Sequence, residues 1–389
     1  MTKPKLLYAS PFPPMKSGIS DYSEILVDGL NRYFDITLLI DNYRLSNKKL
    51  YMDYEVKIFG KNKINFNNYE YKIYNIGNNP HFHSYIYACA IKYPGLVIMH
   101  DFSIYYLVVG YYQNKENFFS KIYEISGSEG LYHIKKVIKR KEDLLNVKHL
   151  SSQLPLNKEI LLKSNKIMVH SLYSFNKIKD IVTNLNKVKK INMVEHLDNS
   201  FNFISKKRLY KRFNIPLDKF ILASFGFIDH TKLNHLVCKT VKELNKTYDN
   251  IFVYVMVGEG HYVDSYLGDS IIKTGYVNIE EFNSFIFHCD LAFNLRYPSM
   301  GETSASLIRI MGAGKPCIVS DDAWFSELPN NVVYKIKNEN AEEEILKLLE
   351  KFINNQKDFL KVGENAKKYI KENHSIDKIS KDIYEFLVQ

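Results

Sequence analysis

The sequence has no apolar run near the ~20 residues that a membrane-spanning helix needs, so no transmembrane segment is expected. The opening stretch, MTKPKLLYASPFPP, has too short an apolar segment for a secretory signal. Cysteine is scarce and lacks metal-ligand spacing, so its thiols are expected to lie in the core of a protein from a reducing compartment. These absences together predict a cytoplasmic protein. The four cysteines are Cys89, Cys238, Cys289 and Cys317.

Familiar nucleotide and metal motifs are also missing. Gly258–Gly260 follows a predicted strand, but no third glycine comes three residues later, so the dinucleotide-binding fingerprint fails. Gly314–Pro316 reads Gly-Lys-Pro rather than the Gly-Lys-Ser/Thr of a P-loop. Asp321 and Asp322 are adjacent, whereas a divalent metal pair is usually separated. The sequence therefore predicts no metal site and no cofactor, and the absence of an arginine-rich arm argues against nucleic acid as a partner.

The composition is that of a globular protein with more than one core. Of 389 residues, 46% are hydrophobic and 25% are charged, and this length favours two domains. The net charge of +10 is concentrated most densely in His133–Lys141, HIKKVIKRK. On a helix this run could face anionic membrane lipid or a phosphate-bearing acceptor. It could equally be a solvated helix face, and the sequence leaves both interpretations open.

Strand and helix signals alternate along the chain, which predicts an α/β protein with mostly parallel sheets covered by helices. The segment 113–160 departs from this alternation because it is polar, basic and without a good strand. It is expected to be a helical insertion or lid. The alternation begins again after the polar stretch 195–214. The predicted division is 1–198, 199–374 and a last helix at 375–389 that could pack back on the first domain.

Residues 290–329, DLAFNLRYPSMGETSASLIRIMGAGKPCIVSDDAWFSELP, form the most informative stretch. A strand at Leu291–Leu295 is predicted to lead into a polar loop, a helix and a second strand at Cys317–Val319. Unpaired backbone N–H groups at the start of such a helix favour a phosphate or another anion. An ordinary strand–helix–strand unit with a hydroxyl-rich cap would look the same. The small polar residues before and within the helix are Thr303, Ser304 and Ser306.

Three further motifs accompany this stretch. PFPPMKSGISDYS follows the first predicted strand, GLVIMHDFSIYYL contains a strand that ends in His100, and SFGFIDHTKL opens the second half. With GETSASLIRIMGAGKPCIVSD, these motifs resemble those of the retaining glycosyltransferases of family 4. The resemblance covers nearly all of the chain except 113–160. It implies the GT-B fold, in which two Rossmann-like domains face each other across an inter-domain cleft.

The resemblance also implies roles for individual residues. Gly18 is expected to approach the donor phosphate, and His100 is expected to be the active-site histidine. Gly226 and Lys232 match the ends of a Gly-Arg-x-x-x-x-Lys phosphate motif, and Glu302 lies nearest to the first glutamate of a Glu-x7-Glu segment. Further donor-binding groups are expected in the loop and helix start at Gly301, Thr303, Ser304 and Ser306.

Two residues depart from the family pattern. Phe227 replaces the motif arginine, so one guanidinium contact to the diphosphate is missing. Arg309 stands where the family has its second glutamate, usually a ligand of the donor ribose, and one residue fewer separates it from Glu302. Arg296 could supply the missing positive charge, because the carboxyl end of a strand points into the cleft. Lys232, the helix amides and Arg296 or Arg309 therefore remain as a predicted anion site.

The expected function is metal-independent, retaining transfer of a sugar from a nucleotide-diphosphate donor to a glycan or lipid-linked glycan. The departing diphosphate needs positive charge, which Lys232 and Arg296 could provide. Glu302 could orient the sugar, and His100 could hold hydroxyl groups of donor and acceptor. No clear protein nucleophile is present, so retention would follow a front-face route in which the acceptor attacks beside the departing phosphate.

The resemblance suggests a place in bacterial surface polysaccharide assembly, of the O-antigen or capsule type, in the cytoplasm or peripherally at the inner face of an anionic membrane. Two other functions remain open. Phe227 and Arg309 would also suit a donor-binding scaffold protein that has lost turnover. A nucleotide-sugar epimerase of similar fold is the third interpretation.

Overall fold

The computed structural model of the chain describes residues 3–195 and 203–389, and they form two compact units. The predicted domain boundary at 198/199 lies outside the described residues. The last segment of the chain and one short loop belong with the first part of the chain. Unit 1 comprises Met1–Val194, Met300–Thr303 and Ile376–Gln389, and unit 2 comprises Glu195–Ser299 and Ser304–Ser375.

Unit 1 is built on a sheet whose strand pairs are all parallel, as the strand–helix alternation predicts. The strand Leu96–Met99 is short, uncharged and fully buried, as expected where helices cover both faces of a parallel sheet. The strands are β1 (Lys5–Ala9), β2 (Asp35–Ile40), β3 (Glu55–Ile58), β4 (Tyr71–Ile76), β5 (Leu96–Met99), β6 (Lys166–Val169) and β7 (Val188–Lys190). Their order across the sheet is β3-β2-β1-β4-β5-β6-β7.

The first helix of unit 1 starts at a capping serine. The Ser17 hydroxyl accepts the N–H of Ile19 at 3.2 Å at the beginning of Gly18–Leu30. The first eight helices are α1 (Gly18–Leu30), α2 (Lys49–Asp53), α3 (Pro80–Lys92), α4 (Tyr105–Tyr112), α5 (Phe118–Lys139), α6 (Lys148–Gln153), α7 (Lys158–Lys163) and α8 (Leu172–Lys179).

The segment 113–160 contains α5, α6 and the start of α7, and a buried carboxylate connects it to the rest of unit 1. Glu159 in α7 accepts hydrogen bonds from Tyr87 of α3 and Tyr112 of α4, each at 2.8 Å. Lys121 of α5 forms an ion pair with the same carboxylate at 2.9 Å. Burial alone would raise the pKa of Glu159, but these three donors outweigh it and hold the pKa below its ordinary value. The carboxylate is therefore ionised in the folded protein.

Unit 2 repeats the architecture with a second sheet, which also has only parallel strand pairs. Its strands are β8 (Phe220–Phe225), β9 (Phe252–Val257), β10 (Ile271–Lys273), β11 (Leu291–Asn294), β12 (Cys317–Ser320) and β13 (Tyr334–Ile336). Their order is β10-β9-β8-β11-β12-β13. The helices are α9 (Lys206–Arg212), α10 (Asn234–Thr247), α11 (Ile279–His288), α12 (Ala305–Gly312), α13 (Ala323–Ser326), α14 (Ala341–Asn354) and α15 (Gln356–Asn373).

The last helix, α16 (Ile376–Val388), belongs to unit 1 and packs against α1. Gly29 makes this approach close: a Cβ there would lie 2.6 Å from Ile376 Cδ1. Tyr33 and Tyr384 stack with their ring centroids 4.7 Å apart, and Arg32 pairs with Asp377. Apolar packing is thus the main contact of α16, because the ion pair is exposed and contributes little.

The cysteine side chains lie in the interior of the two units. All four cysteines are buried and unpaired, and burial raises the pKa of the Cys89, Cys238 and Cys289 thiols to about 12. Among the helices that the structure describes, none combines the length and apolar character needed to cross a bilayer.

Candidate functional site

The sheet of unit 2 has a switch point between β8 and β11. The chain runs outward from β8 through β9 to β10 and then returns to place β11 on the other side of β8. Connections therefore leave β8 and β11 in opposite directions, and open α/β sheets bind ligands at the carboxyl ends of such strands. The loop 226–232 follows β8, and the loop 295–304 follows β11. Predicted site residues lie in both loops.

Lys232 is held at the carboxyl end of β8 by the loop that follows this strand. The Asp229 side chain accepts the N–H of Thr231 at 3.1 Å and starts the tight turn His230–Lys232. The Lys232 ammonium donates to the carbonyl of Phe225, the last residue of β8. Gly226 leaves room for it, since a Cβ there would lie 3.0 Å from Lys232 Nζ. A fixed positive charge thus stands at the strand end.

Arg296 joins the same turn from β11. Its guanidinium donates to the Thr231 hydroxyl at 3.2 Å, and its backbone N–H donates to the Ser320 hydroxyl at 3.0 Å. The N–H of Tyr297 donates to the carbonyl of Thr231 at 2.7 Å. Thr231 therefore connects Arg296 to the turn that carries Lys232, and the structure brings two predicted cationic residues together.

Gly258 and Gly260, which do not fit a dinucleotide-binding fingerprint, support this loop. A Cβ on Gly258 would lie 2.1 Å from the carbonyl oxygen of Gly226, and one on Gly260 would lie 2.0 Å from that of Ile228. The N–H of Ile228 donates to the carbonyl of Glu259 at 2.6 Å. The Gly-x-Gly after β9 therefore allows backbone to pack on backbone beneath the loop 226–232.

The start of α12 carries Ser304 and Ser306, as predicted. Ser304 is the residue that caps the helix, because its hydroxyl accepts the N–H of Leu307 at 3.2 Å. The two serine hydroxyls lie 3.1 Å apart, and Asn294 of β11 donates to Ser306 at 2.9 Å. Both serines are thus fixed by hydrogen bonds at the end of the strand next to β8.

Arg309 lies further along α12 and is only 7% exposed. The carbon of its guanidinium is 5.8 Å from the ring centroid of Phe282 in α11. Phe282 in turn meets Phe225 edge-on, with the ring centroids 5.3 Å apart. Arg309 therefore packs on an aromatic pair, whereas Lys232 and Arg296 lie at the Thr231 turn. Phe227, which replaces the motif arginine, is 68% exposed.

The loop Met300–Thr303 belongs to unit 1 and contains three predicted site residues. One carboxylate oxygen of Glu302 accepts the N–H of Met300 at 2.7 Å. Gly301 has φ +81°, a conformation that favours glycine, and its carbonyl accepts a hydrogen bond from Ser174 at 3.1 Å. Thr303 is buried. Glu302 and Gly301 therefore stabilise the conformation of this loop, whatever they contribute to donor binding.

His100 directly follows β5, the neighbour of β4, and β4 borders the switch point of unit 1 between β1 and β4. Its Nε2 donates to the side-chain oxygen of Asn75 in β4 at 3.0 Å. The ring packs edge-on against Tyr22, at 4.8 Å between centroids, and lies 5.0 Å from His170. Gly18, the first residue of α1, is exposed. His100 and its neighbours thus form a buried polar cluster.

A third histidine, His83, contacts the same asparagine as His100. His83 of α3 donates through Nδ1 to the carbonyl of Asn75 at 3.1 Å. Burial lowers the pKa of His83 to about 4, and the hydrogen bond offsets only part of this effect. His83 is therefore neutral near pH 7. In the residues that the structure describes, no three histidine, cysteine or carboxylate side chains are grouped to hold a metal ion.

Comparison with known proteins finds a family match within unit 2. Residues 205–369, which span most of unit 2, match the family described as Glycosyl transferases group 1. A stretch of 166 residues is 29% identical to an uncharacterized glycosyltransferase of Methanocaldococcus jannaschii. That match covers 39% of this chain and 41% of the length of the relative.

Solved structures extend the similarity to nearly the whole chain. Sucrose-phosphate synthase from Thermosynechococcus elongatus has a TM-score of 0.67 and 12% identity over 98% of both chains. Anabaena HepE in complex with UDP and glucose has a TM-score of 0.65 and 13% identity over 99% of both chains. WaaG, a glycosyltransferase involved in lipopolysaccharide biosynthesis, has a TM-score of 0.63 and 12% identity over 98% of this chain and 99% of its own. The predicted fold class, GT-B with two parallel-sheet α/β domains, is confirmed.

Proposed function

We propose that the protein is a glycosyltransferase that binds the diphosphate of a nucleotide-sugar donor at the carboxyl ends of β8 and β11. The observation that carries the proposal is the Thr231 turn, which holds Lys232 and Arg296 together at the switch point of unit 2. This turn lies inside the segment that matches the Glycosyl transferases group 1 family. Gly226, Gly301, Thr303 and the helix-capping Ser304 are the further donor-side groups of the proposal.

In the proposed reaction, this site must stabilise the departing nucleotide diphosphate. As the bond between sugar and diphosphate breaks, negative charge grows on the phosphate oxygens. Lys232 and Arg296 are already positioned by hydrogen bonds, so they can meet that charge without reorganising. Charge-assisted hydrogen bonds of this kind are about twice as strong as neutral ones. The two cations therefore supply positive charge by themselves, which supports a metal-independent reaction.

The acceptor in this proposal is a glycan or a lipid-linked glycan, and the reaction retains the configuration of the sugar. His100 would hold hydroxyl groups of donor and acceptor, and Glu302 would orient the donor sugar. A front-face route, in which the acceptor attacks beside the departing phosphate, needs no protein nucleophile. The proposed role is in surface polysaccharide assembly, since WaaG, which has a similar fold, is a glycosyltransferase involved in lipopolysaccharide biosynthesis. The proposed location is the cytoplasm.

The proposal is tested with a panel of nucleotide sugars. A true donor at about 100 times its dissociation constant should add about 2.7 kcal/mol to the stability of the protein, visible as a higher melting temperature. That donor should then release free nucleotide diphosphate only when an acceptor glycan is present. Proton NMR of the product reports the anomeric configuration, and EDTA should leave the rate unchanged. A protein that is neither stabilised by any nucleotide sugar nor active on one is not a glycosyltransferase of this kind.

One alternative is favoured by a specific observation. Phe227 exposes its ring where the family has a phosphate-binding arginine, and Arg309 packs on Phe282 where the family has a ribose-binding glutamate. Both changes suit a scaffold protein that binds a donor without turning it over. Stabilisation by a nucleotide sugar without release of nucleotide diphosphate would identify the scaffold. Conversion of one nucleotide sugar into another without acceptor would instead identify an epimerase.

A further inference from the structure

Asn75 of β4 is a buried asparagine that contacts two of the histidines in the polar cluster of unit 1. Its side chain is fully buried, although its neighbours in the strand, Tyr74 and Ile76, are core residues. Its backbone carbonyl accepts a hydrogen bond from Nδ1 of His83 at 3.1 Å, and its side-chain oxygen lies 3.0 Å from Nε2 of His100. Burying an amide is unfavourable unless it is hydrogen-bonded, so a fully buried asparagine inside a strand indicates a specific role.

The two ends of the Asn75 amide face different partners. Tyr8 lies in β1, the strand that pairs with β4. Burial raises the pKa of the Tyr8 hydroxyl, whereas the side chains of Ser23 and Asn75 lower it. A neighbouring group lowers the pKa of a phenol by donating a hydrogen bond to its oxygen, and only the NH₂ end of an amide can donate. The NH₂ end of Asn75 therefore faces Tyr8, and the oxygen end faces His100.

This orientation of the amide determines which nitrogen of His100 carries the proton. An amide oxygen can only accept a hydrogen bond, so Nε2 of His100 must carry a hydrogen atom. A neutral imidazole has one N–H group, and Nδ1 is then a nitrogen with a lone pair that can only accept. Such a nitrogen attracts the hydrogen of a hydroxyl group and repels the oxygen of a phosphate.

The other neighbours of His100 hold its ring by packing. Tyr22 meets the ring edge-on at 4.8 Å between centroids, and His170 lies at 5.0 Å. His170 is itself anchored, because its Nδ1 lies 3.0 Å from the carbonyl of Ile191. Burial lowers the pKa of His83 to about 4, so His83 anchors the backbone of Asn75 without adding a charge near pH 7.

We propose that Asn75 is a positioning residue, whose side-chain oxygen holds the proton of His100 on Nε2 and leaves Nδ1 as the acceptor for a substrate hydroxyl. The proposal rests on the proposed function, in which His100 holds hydroxyl groups of the donor and the acceptor. It adds that the group bound by His100 must be a hydroxyl that donates its hydrogen. A phosphate oxygen is excluded there, so phosphate is left to Lys232 and Arg296.

The position of the proton can be measured in the full-length protein without any ligand. Histidine labelled with an NMR-active nitrogen isotope gives nitrogen–proton spectra that distinguish a protonated ring nitrogen from an unprotonated one. The signals of His100 are those that disappear in His100→Gln. At about pH 8, well above the ordinary pKa of histidine, the wild-type protein should carry the proton of His100 on Nε2. A proton on Nδ1 would overturn the proposal, whatever the variants show.

Two substitutions of Asn75 test whether its oxygen is the group that holds this proton. Asn75→Leu removes the acceptor at similar size, and Asn75→Asp replaces it with a charged acceptor, which forms a stronger hydrogen bond. Hydrogen bonding moves the resonance of a proton downfield. The Nε2 proton of His100 should therefore move upfield in Asn75→Leu and further downfield in Asn75→Asp. An unchanged resonance in both variants would show that another group holds the proton and would overturn the role of Asn75.

Asn245→Leu is the matched control. Asn245 is a buried asparagine of unit 2 whose amide bonds the backbone of Phe252 through both its oxygen and its NH₂ group. Its replacement removes comparable buried hydrogen bonds but should leave the Nε2 proton of His100 unmoved. Circular dichroism and thermal unfolding confirm that each variant is folded. A shift of the His100 proton in Asn245→Leu as large as that in Asn75→Leu would reduce the effect to general destabilisation and contradict the proposal.

Turnover tests the link between this proton and the reaction. With the donor found in the nucleotide-sugar panel and its acceptor glycan, Asn75→Leu should lower kcat/KM by about fivefold or more, because one hydrogen bond to the substrate is no longer aligned. Asn245→Leu should react like the wild type. Wild-type kcat/KM in Asn75→Leu with a displaced proton would overturn the positioning role. If no nucleotide sugar reacts, the proposed function fails, whereas the NMR spectra still decide where His100 carries its proton.

Discussion

Lys232 is a single side chain on which the proposed donor site depends. Replacement by methionine keeps the length of the chain and removes the charge at the end of β8. We expect the loss of one charge-assisted contact to weaken donor binding by about 1.5–3 kcal/mol, which is at least tenfold in the dissociation constant. Isothermal titration calorimetry with the stabilising nucleotide sugar measures the dissociation constant of the wild type and the variant. Lys239→Met is the control, because Lys239 is an exposed lysine of the same unit that pairs with Glu342; a similar loss in both variants would show Lys232 to be unimportant.

Arg296 and Phe227 allow a second test at the same turn. Arg296→Ala should weaken donor binding by a similar amount, because it removes the guanidinium held by Thr231. Phe227→Arg, added to that variant, should restore part of the affinity if either guanidinium can reach the diphosphate. The double-mutant cycle should therefore give a coupling energy above about 0.5 kcal/mol in the measured dissociation constants. Additive effects would mean that the two positions serve different parts of the ligand.

The sequence was most informative about residues whose role follows from a local motif. The positions of Lys232 and Arg296 could be predicted, because each lies in a loop that follows a predicted strand; their role in donor binding stays a prediction. Thr231 could not, because its contact with Arg296 joins residues 65 positions apart. The glycines at 258 and 260 do not fit a dinucleotide motif, and their packing beneath the loop 226–232 depends on a neighbouring strand that only the fold brings close.

At the scale of elements, Glu159 should contribute to the stability with which α5 and α7 pack against the rest of unit 1. Glu159→Gln keeps the shape of the side chain but removes the charge that Lys121 pairs with in a buried place. We expect a loss of about 1–3 kcal/mol in the free energy of unfolding at pH 7, measured by urea denaturation. Glu55→Gln is the control, since Glu55 is a largely exposed carboxylate paired with Lys57; it should cost far less.

The difference in stability between the wild type and Glu159→Gln should depend on pH. The pKa of Glu159 is lower in the folded protein than its ordinary value of 4.5, so the unfolded chain takes up the proton first as the pH falls. The stability that the carboxylate contributes should be complete above the ordinary pKa and should disappear as the pH falls through the lower, folded value. Wild type and Glu159→Gln should therefore converge in acid. A difference that stays constant down to about pH 3 would contradict this account.

The elements themselves could be predicted where their sequences are long or uniform. Leu96–Met99 is uncharged and fully buried, and the strand was expected there. The edge strands Glu55–Ile58 and Tyr334–Ile336 were missed, because they are short and partly exposed and contain polar residues. The insertion 113–160 was expected to be helical from its composition, but nothing in its polar sequence indicated that Glu159 would be buried against two tyrosines.

At the scale of the whole molecule, the donor should stabilise the two units unequally. A ligand that binds at β8 and β11 stabilises the unit that holds those strands, because it binds only the folded form. Hydrogen exchange should therefore slow most in peptides from β8, β11 and α12 when the nucleotide sugar is added. Peptides from β2 and β3 serve as the internal control in unit 1. Protection confined to unit 1 would place the donor elsewhere.

The docking of α16 on α1 has a consequence for how the protein is made. A ribosome synthesises the chain from its amino end, so every strand of unit 2 leaves the exit tunnel before Ile376–Val388 does. Unit 2 can therefore finish folding while the surface around Gly29 and Leu30 is still exposed to solvent and to chaperones. A messenger that stops at a premature codon after residue 375 would yield a complete unit 2 joined to a unit 1 with an uncovered apolar face.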